Sequence, residues 1–282
     1  MSTLFDTYTL ENGLKIPVMG LGTAGMSDEV TAKSVETAIR IGYRLFDTAA
    51  DYHNEIGVGR GVLSAGLARE DVFITSKLSN DVRGYDATIE AVDQSIDNLE
   101  CDYLDLFLIH WPKPIAFRDN WEHANAESWR AMEDLYRDGR LKAIGVSNFQ
   151  VNHLQALART QKITPMINQL FLAPGELQEE VVDYCRDHNI IPESYSPLGA
   201  GKITKVDALK KIAAAHNKTV AQVALRWSLV HNFIPIPKTK HEARMRENAD
   251  IFDFKLTPAE IDIIDQLDGV VGKATDPDSL TV

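Results

Sequence analysis

Three short apolar runs of this chain end in a residue that can carry or steer a proton: Leu45-Phe46-Asp47, Phe73-Ile74-Thr75-Ser76-Lys77 and Leu106-Phe107-Leu108-Ile109-His110. Singly, an Asp or Lys at such a position is usually a cap or an exposed charge, and a lone His is usually a satisfied core residue. Placed on three consecutive strands facing one mouth, the carboxylate, ammonium and imidazole form the kind of cluster in which pKa values are tuned for chemistry. Tyr52, in the loop just after Asp47, is the natural proton donor. A phenol ordinarily ionises near pH ~10, so it needs help to work near neutrality. Lys77 is expected to give that help, since a nearby cation stabilises the phenolate by about 1.4 kcal/mol for each tenfold gain in acidity. Asp47 would keep Lys77 charged and in place, and His110, on the other side, would hydrogen-bond the substrate oxygen.

These residues converge only if the strands run parallel. Runs rich in β-branched or aromatic residues recur near 20–24, 43–48, 72–77, 104–110, 142–146, 166–170, 190–195 and 233–237. Longer stretches with helical periodicity lie between them, for example 31–41, 87–99, 127–136, 177–188 and 220–229. Strand and helix alternating eight times predicts an α/β fold of the (β/α)8 TIM-barrel type, with functional groups at the C-terminal ends of the strands. The remaining strand ends are Ser147-Asn148, Asn168-Gln169, Tyr195-Ser196 and Lys238. Ahead of the first strand, Tyr8-Thr-Leu-Glu-Asn-Gly-Leu-Lys-Ile-Pro17 carries Asn12-Gly13 between two short alternating runs, a hairpin signal, and such a hairpin would plug the bottom of the barrel. No stretch reads as a linker, so residues 1–282 are expected to form one domain.

Composition narrows the partners. At 282 residues and 44% hydrophobic content the chain can bury a large sheet. Its net charge of −12 argues against nucleic acid or an anionic membrane, so an anionic ligand must find a local basic site. The N-terminal residues do not read as a secretory signal, and no apolar run approaches the ~18 residues of a membrane span. Cys101 and Cys185, far apart on segments that look helical, suit a reducing cytoplasm. No metal site is expected: there is no H-E-x-x-H, no paired Cys, and the eight His are scattered. There is no G-x-S-x-G elbow, and Gly199-Ala-Gly201 lacks the Walker continuation. Gly20-Leu-Gly22-Thr-Ala-Gly25 does fit G-x-G-x-x-G, with Asp47 at the distance of a ribose-binding acid, which leaves a Rossmann dehydrogenase as the structural alternative. The even alternation up to Lys238 and the lack of a Tyr-x-x-x-Lys pair speak against it.

Along almost its whole length the sequence resembles the aldo-keto reductases, especially bacterial members of the 2,5-diketo-D-gluconate reductase type. Gly42-Tyr-Arg-Leu-Phe-Asp-Thr-Ala-Ala-Asp-Tyr-His-Asn-Glu55 is similar to the family's first signature, with Asp47 and Tyr52 in place. Asp102-Tyr-Leu-Asp-Leu-Phe-Leu-Ile-His-Trp-Pro112 resembles the segment bearing the family's His, Ser76-Lys77 its lysine, Gly145-Val-Ser-Asn-Phe149 its strand-five motif, and Ile236-Pro-Lys-Thr-Lys-His-Glu-Ala-Arg-Met-Arg-Glu-Asn248 its cofactor signature.

The resemblance implies NADPH as cofactor and reduction of aldehydes, ketones or dicarbonyls, including keto-sugar acids, to alcohols, with Tyr52 as general acid. It places Ser147, Asn148 and Gln169 on the nicotinamide amide and Tyr195 against its ring, with Ser196 and Leu198 at the pyrophosphate. Lys238, Thr239 and Arg244 fall on the 2′-phosphate, Glu247 and Asn248 near the adenine, and Thr23 also on the cofactor side. Guanidinium forks suit a phosphate, and an acidic protein needs such a local basic site. Ala24 stands where many members carry a bulky aromatic, which widens the expected pocket, and Trp111 is expected on its floor. Leu170-Phe-Leu-Ala-Pro174 replaces the usual acidic residue and His-Pro, which puts the support of the strand-six loop in doubt. Residues 115–121 and the tail 272–282 are candidate pocket walls. The resemblance further implies a monomer, which its two cysteines place in the cytoplasm, and the alternative of another class is a cofactor-binding regulatory or interaction subunit.

Overall fold

A computed structural model of the chain describes residues 3–279; residues 1–2 and 280–282, the latter closing the tail named above, lie outside the described residues. Strands β1 (Thr7–Thr9) and β2 (Lys15–Pro17) pair antiparallel. Eight parallel strands follow: β3 (Gly20–Gly22), β4 (Leu45–Asp47), β5 (Phe73–Leu78), β6 (Leu106–Ile109), β7 (Ile144–Ser147), β8 (Ile167–Phe171), β9 (Ile191–Tyr195) and β10 (Ile234–Ile236). Each pairs with its neighbour in sequence, from β3 round to β10. The seam between β10 and β3 is closed by the Gly22 amide donating to the Pro237 carbonyl at 3.3 Å and by a bridge from Gly22 to Lys238. The fold is therefore a (β/α)8 barrel, not the Rossmann alternative.

Helices α1 (Asp28–Ile41), α2 (Glu55–Ser64), α3 (Tyr85–Asn98), α4 (Trp121–Arg137), α5 (Val151–Ala158), α6 (Glu179–Asp187), α7 (Asp207–Ala215), α8 (Val220–Val230), α9 (Glu242–Ala249) and α10 (Pro258–Asp265) cover the outside. Local chemistry sets several of their ends. Ser27 caps α1, Gly42 at φ 124° ends it, and Thr219 with Gln222 and Thr257 with Glu260 form capping boxes at α8 and α10. Among the described residues no helix is long and apolar enough to cross a membrane. Cys185 lies in α6, whereas Cys101 falls in the bend just past α3, and both are free thiols.

The two-residue period of a strand sends alternate side chains into two cores. Phe46, Ile74, Phe107, Ile144, Val146 and Leu170 pack outward against the helices, with Trp129 and Trp227. Leu45, Phe73, Leu106, Leu108, Ile167 and Ile234 fill the inside, where Leu10 and Ile16 of the hairpin join them. The hairpin is thus the expected plug. Its turn is longer than a two-residue Asn-Gly loop: the Leu10 amide donates to the Leu14 carbonyl at 2.9 Å, and Gly13 takes the left-handed position at φ 86° of a three-residue loop.

Candidate active site

At the C-terminal ends of β4, β5 and β6, Asp47, Lys77 and His110 meet as expected. Lys77 is fully buried, and its Nζ donates to both oxygens of Asp47 and to the Thr48 carbonyl, each at 2.8 Å. Tyr52 sits on a single 3₁₀ turn (Ala50–Tyr52) that carries its hydroxyl to 3.5 Å from the same Nζ, with the Lys77 cation 4.8 Å from the ring centroid. The Tyr52 and His110 rings meet edge to face, their centroids 5.6 Å apart. Buried Asn54 holds this corner: its amide donates to the carbonyls of Thr23 (2.9 Å) and Met26 (3.1 Å) and its oxygen accepts from Thr48 Oγ1 at 2.6 Å.

Burial decides the protonation states. It pulls the Lys77 ammonium down, but Asp47 and Tyr52 together carry it above its ordinary value, so Lys77 is charged. Burial pushes the Tyr52 phenol up; Lys77 pulls the other way and does not win, with Asp47 and Asp51 adding to the rise. This corrects the expectation that Lys77 brings Tyr52 down towards neutrality. The hydroxyl keeps its proton at neutral pH. Burial and then Lys77 lower His110, against the support of Asp51.

A second group of expected residues forms one hydrogen-bonded chain with the first. The Ser147 hydroxyl donates to the Gln169 carbonyl at 3.0 Å, and Asn148, in the left-handed region at φ 61°, donates from Nδ2 to the His110 carbonyl (3.1 Å) and to Ser147 Oγ (3.0 Å). The Tyr195 hydroxyl donates to Asn148 Oδ1 at 2.9 Å. Gln169 Nε2 donates to Asp47 Oδ2 at 2.8 Å and to Glu193 Oε2 at 2.6 Å, which occupies both amide hydrogens, while its side-chain oxygen Oε1 has no hydrogen-bond partner among the described residues. Buried Thr23 donates to the Asp47 backbone carbonyl at 2.9 Å.

The residues expected at the far end of a dinucleotide stand apart, along the β10–β3 seam and α9. Lys238 and Arg244 are exposed and neither enters an ion pair among the described residues, whereas nearby Arg246 is held by Glu242. Thr239 and Asn248 are buried beside them, and Glu247 accepts from the Thr219 hydroxyl at 2.7 Å. Ser196, at φ 49°, is exposed and Leu198 half-buried in the loop after β9. Ala24 is exposed at the mouth loop after β3; Trp111 is half-buried, its carbonyl accepting from buried Arg83 at 2.6 Å. The tail returns to the segment after β6: Asp278 takes Lys113 Nζ at 2.9 Å and faces His153 Nε2 at 3.3 Å.

Two acids at the site were missed in the sequence. Asp51 places Oδ2 3.1 Å from His110 Nδ1; its only signal was an acidic residue directly preceding the candidate proton donor. Glu193 is completely buried inside the barrel, one oxygen on Gln169 and the other without a partner among the described residues. Its signal was a charge in mid-strand, two residues from Tyr195 and hence on the same face.

The mouth of this parallel barrel gathers a phenol, a charged lysine, a carboxylate and an imidazole, groups that by their chemistry can exchange a proton with a bound oxygen. The chain belongs to the aldo/keto reductase family, which it matches over residues 18–269, and is an oxidoreductase of that family. It is 46% identical to the glyoxal reductase of Bacillus subtilis (strain 168) over 280 residues, 99% of each chain. With the methylglyoxal reductase DkgA of Escherichia coli O157:H7 it shares 39% identity over 271 residues, 95% of this chain and 96% of that one. Among solved structures, a variant of Gox0644 in complex with NADPH superposes with a TM-score of 0.91 at 36% identity, covering 98% of this chain and 99% of the other.

Proposed function

We propose that this protein reduces small aldehydes, ketones and α-dicarbonyls, keto-sugar acids included, to alcohols with NADPH, and that Tyr52 delivers the proton. The observation that carries the reading is the placement of a protonated phenol 3.5 Å from a buried, charged lysine and edge-on to His110. The similarity to a glyoxal and a methylglyoxal reductase favours compact dicarbonyls.

The residues present fit a phosphorylated dinucleotide. Gln169 offers a fixed side-chain oxygen, and Lys238 and Arg244 are exposed cations with no ion pair among the described residues, in a protein of net charge −12. When bound, NADPH supplies the hydride to the carbonyl carbon. Ser147, Asn148 and Gln169 hold the nicotinamide amide, Tyr195 lies against its ring, and Thr23, Ser196 and Leu198 border the path to the pyrophosphate. Lys238, Thr239 and Arg244 take the 2′-phosphate, with Glu247 and Asn248 at the adenine. Ala24 and Trp111 line the substrate side. Tyr52 gives its proton to the substrate oxygen, and Lys77, as a cation 3.5 Å away, stabilises the phenolate left behind. His110 stabilises the charge that builds on that oxygen. The free thiols and acidic surface suit a cytoplasmic monomer folded as one domain.

The test follows nicotinamide absorbance against a panel of aldehydes, α-dicarbonyls and keto-sugar acids. Tyr52→Phe is expected to lower turnover by about 10²-fold or more while NADPH binding, read by fluorescence quenching, is retained. Loss of NADPH affinity in the variant counts against the assignment. Silence of the wild type across the panel despite tight NADPH binding favours a regulatory subunit instead.

A further inference from the structure

Asp51 has no part in the mechanism above, yet it touches one of its members. Its Oδ2 lies 3.1 Å from His110 Nδ1 and accepts the Asn80 amide at 3.2 Å. Burial pushes the Asp51 carboxyl up, but hydrogen bonds from His110, Ser79 and Asn80 outweigh it and bring the group to about 2. It is a carboxylate at and well below neutral pH. A carboxylate has no hydrogen to give, so the hydrogen in this contact belongs to His110 Nδ1. A neutral imidazole has only one N–H. With that hydrogen on Nδ1, Nε2 presents a lone pair and cannot donate to a carbonyl oxygen; it donates only when both nitrogens are protonated.

We propose that Asp51 is a positioning residue that keeps a proton on His110 Nδ1, so that the hydrogen bond from Nε2 to the substrate oxygen is available only from the imidazolium. The inference rests on the reductase reading for its consequence: reduction then needs two protonated groups, Tyr52 and the doubly protonated His110. It switches off as His110 loses its second proton, well before Tyr52 ionises. Four groups face the ring: Asp51 and Tyr52 from the 3₁₀ turn, Lys77 from β5 and Asp47 from β4. Asp51 and Asp47 favour the imidazolium, Lys77 and burial oppose it, and Arg83 faces Asp51. The balance lies below the ordinary histidine value, which puts the active form on the acid side of neutrality.

Two measurements test this. In two-bond ¹H–¹⁵N correlation spectra of the wild-type protein, with the His110 signals assigned through His110→Gln, neutral His110 is expected to carry its hydrogen on Nδ1. In Asp51→Ala it is expected to move to Nε2. A neutral wild-type ring with its hydrogen on Nε2 overturns the proposal, and this readout needs neither turnover nor a stable variant. In the second measurement, wild-type kcat/KM for reduction is expected to fall about tenfold per pH unit above the His110 titration. In Asp51→Ala it is expected to stay flat across that range, because a neutral Nε2–H can donate. A merely structural role lowers the rate at every pH alike, so parallel profiles also overturn it. If the wild type reduces no carbonyl at all, the reductase reading fails, and the nitrogen spectra still decide what Asp51 does.

Discussion

Lys77 has three hydrogens and three acceptors at 2.8 Å, namely both oxygens of Asp47 and the Thr48 carbonyl. The bond to the Tyr52 hydroxyl, at 3.5 Å, is the longest of the four, so Lys77 acts on the phenol more through its charge than as a donor. Asp47 in turn is shared with Gln169, which ties the proton-transfer residues to those proposed to hold the nicotinamide. At the proposed 2′-phosphate end, Arg244 is exposed and enters no ion pair among the described residues. Arg244→Ala is expected to weaken NADPH binding about tenfold, the scale of one charge-assisted contact at a screened site, and to leave NADH nearly unchanged. Titration of both cofactors by protein fluorescence checks this, and equal losses sink the 2′-phosphate assignment. The four central residues were legible because each follows a recognisable apolar run or the loop after one. Asp51 was not, since its partner is 59 positions away and only the folded loop brings the two together.

At the scale of elements, the alternation of eight strands with helices was legible because the strands are buried and several open on a short apolar run, as in Leu45-Phe46, Phe73-Ile74 and Leu106-Phe107-Leu108-Ile109, although β8 and β9 carry polar residues in mid-strand. The seam was misleading. Gly20 and Gly22 mimic a phosphate-binding turn but lie within β3, where they let the first strand approach its neighbours. A Cβ on Gly20 would meet Leu45 Cγ at 2.6 Å and the Leu45 backbone carbonyl at 2.9 Å, and one on Gly22 would lie 2.9 Å from the Ile236 backbone carbonyl. The backbone of β10 cannot step aside without disturbing the bond from Gly22 to Pro237 that closes the barrel. Gly22→Ala is therefore expected to destabilise the fold by about 1–3 kcal/mol, the cost typical of overpacking. The readout is a lower urea midpoint with an unchanged slope. An unchanged midpoint shows that the seam relaxes freely and that its geometry is not what selects glycine. The same contacts explain why the G-x-G-x-x-G spacing pointed to the wrong role: the carbonyl that forbids a side chain at Gly22 belongs to the opposite end of the sequence.

The charge of the whole molecule divides unevenly between its surface and its barrel. Outside, the excess of acids is solvated; inside, Asp47 and Glu193 share a single ammonium, Lys77, and are joined through one amide group of Gln169. Burial and the nearby Asp47 push the Glu193 carboxyl up to about 8, so the native state keeps a proton that the unfolded chain gives up near ~4.3. Between those two values the unfolded state binds fewer protons than the native one, so stability is fully present below the unfolded value and is lost as pH rises towards 8. The loss from this one group is at most about 1.4 kcal/mol per pH unit. Glu193→Gln keeps an oxygen to accept from Gln169 and cannot ionise. The variant is expected to match or trail the wild type near pH ~5 and to gain on it steadily towards pH 8, measured as Tm without added nucleotide so that cofactor binding does not mask the trend. Two melting curves that keep the same separation across that range mean that Glu193 is already ionised in the native barrel. In that case Lys77 balances both acids, and the phenol of Tyr52 feels less of its charge than its distance implies.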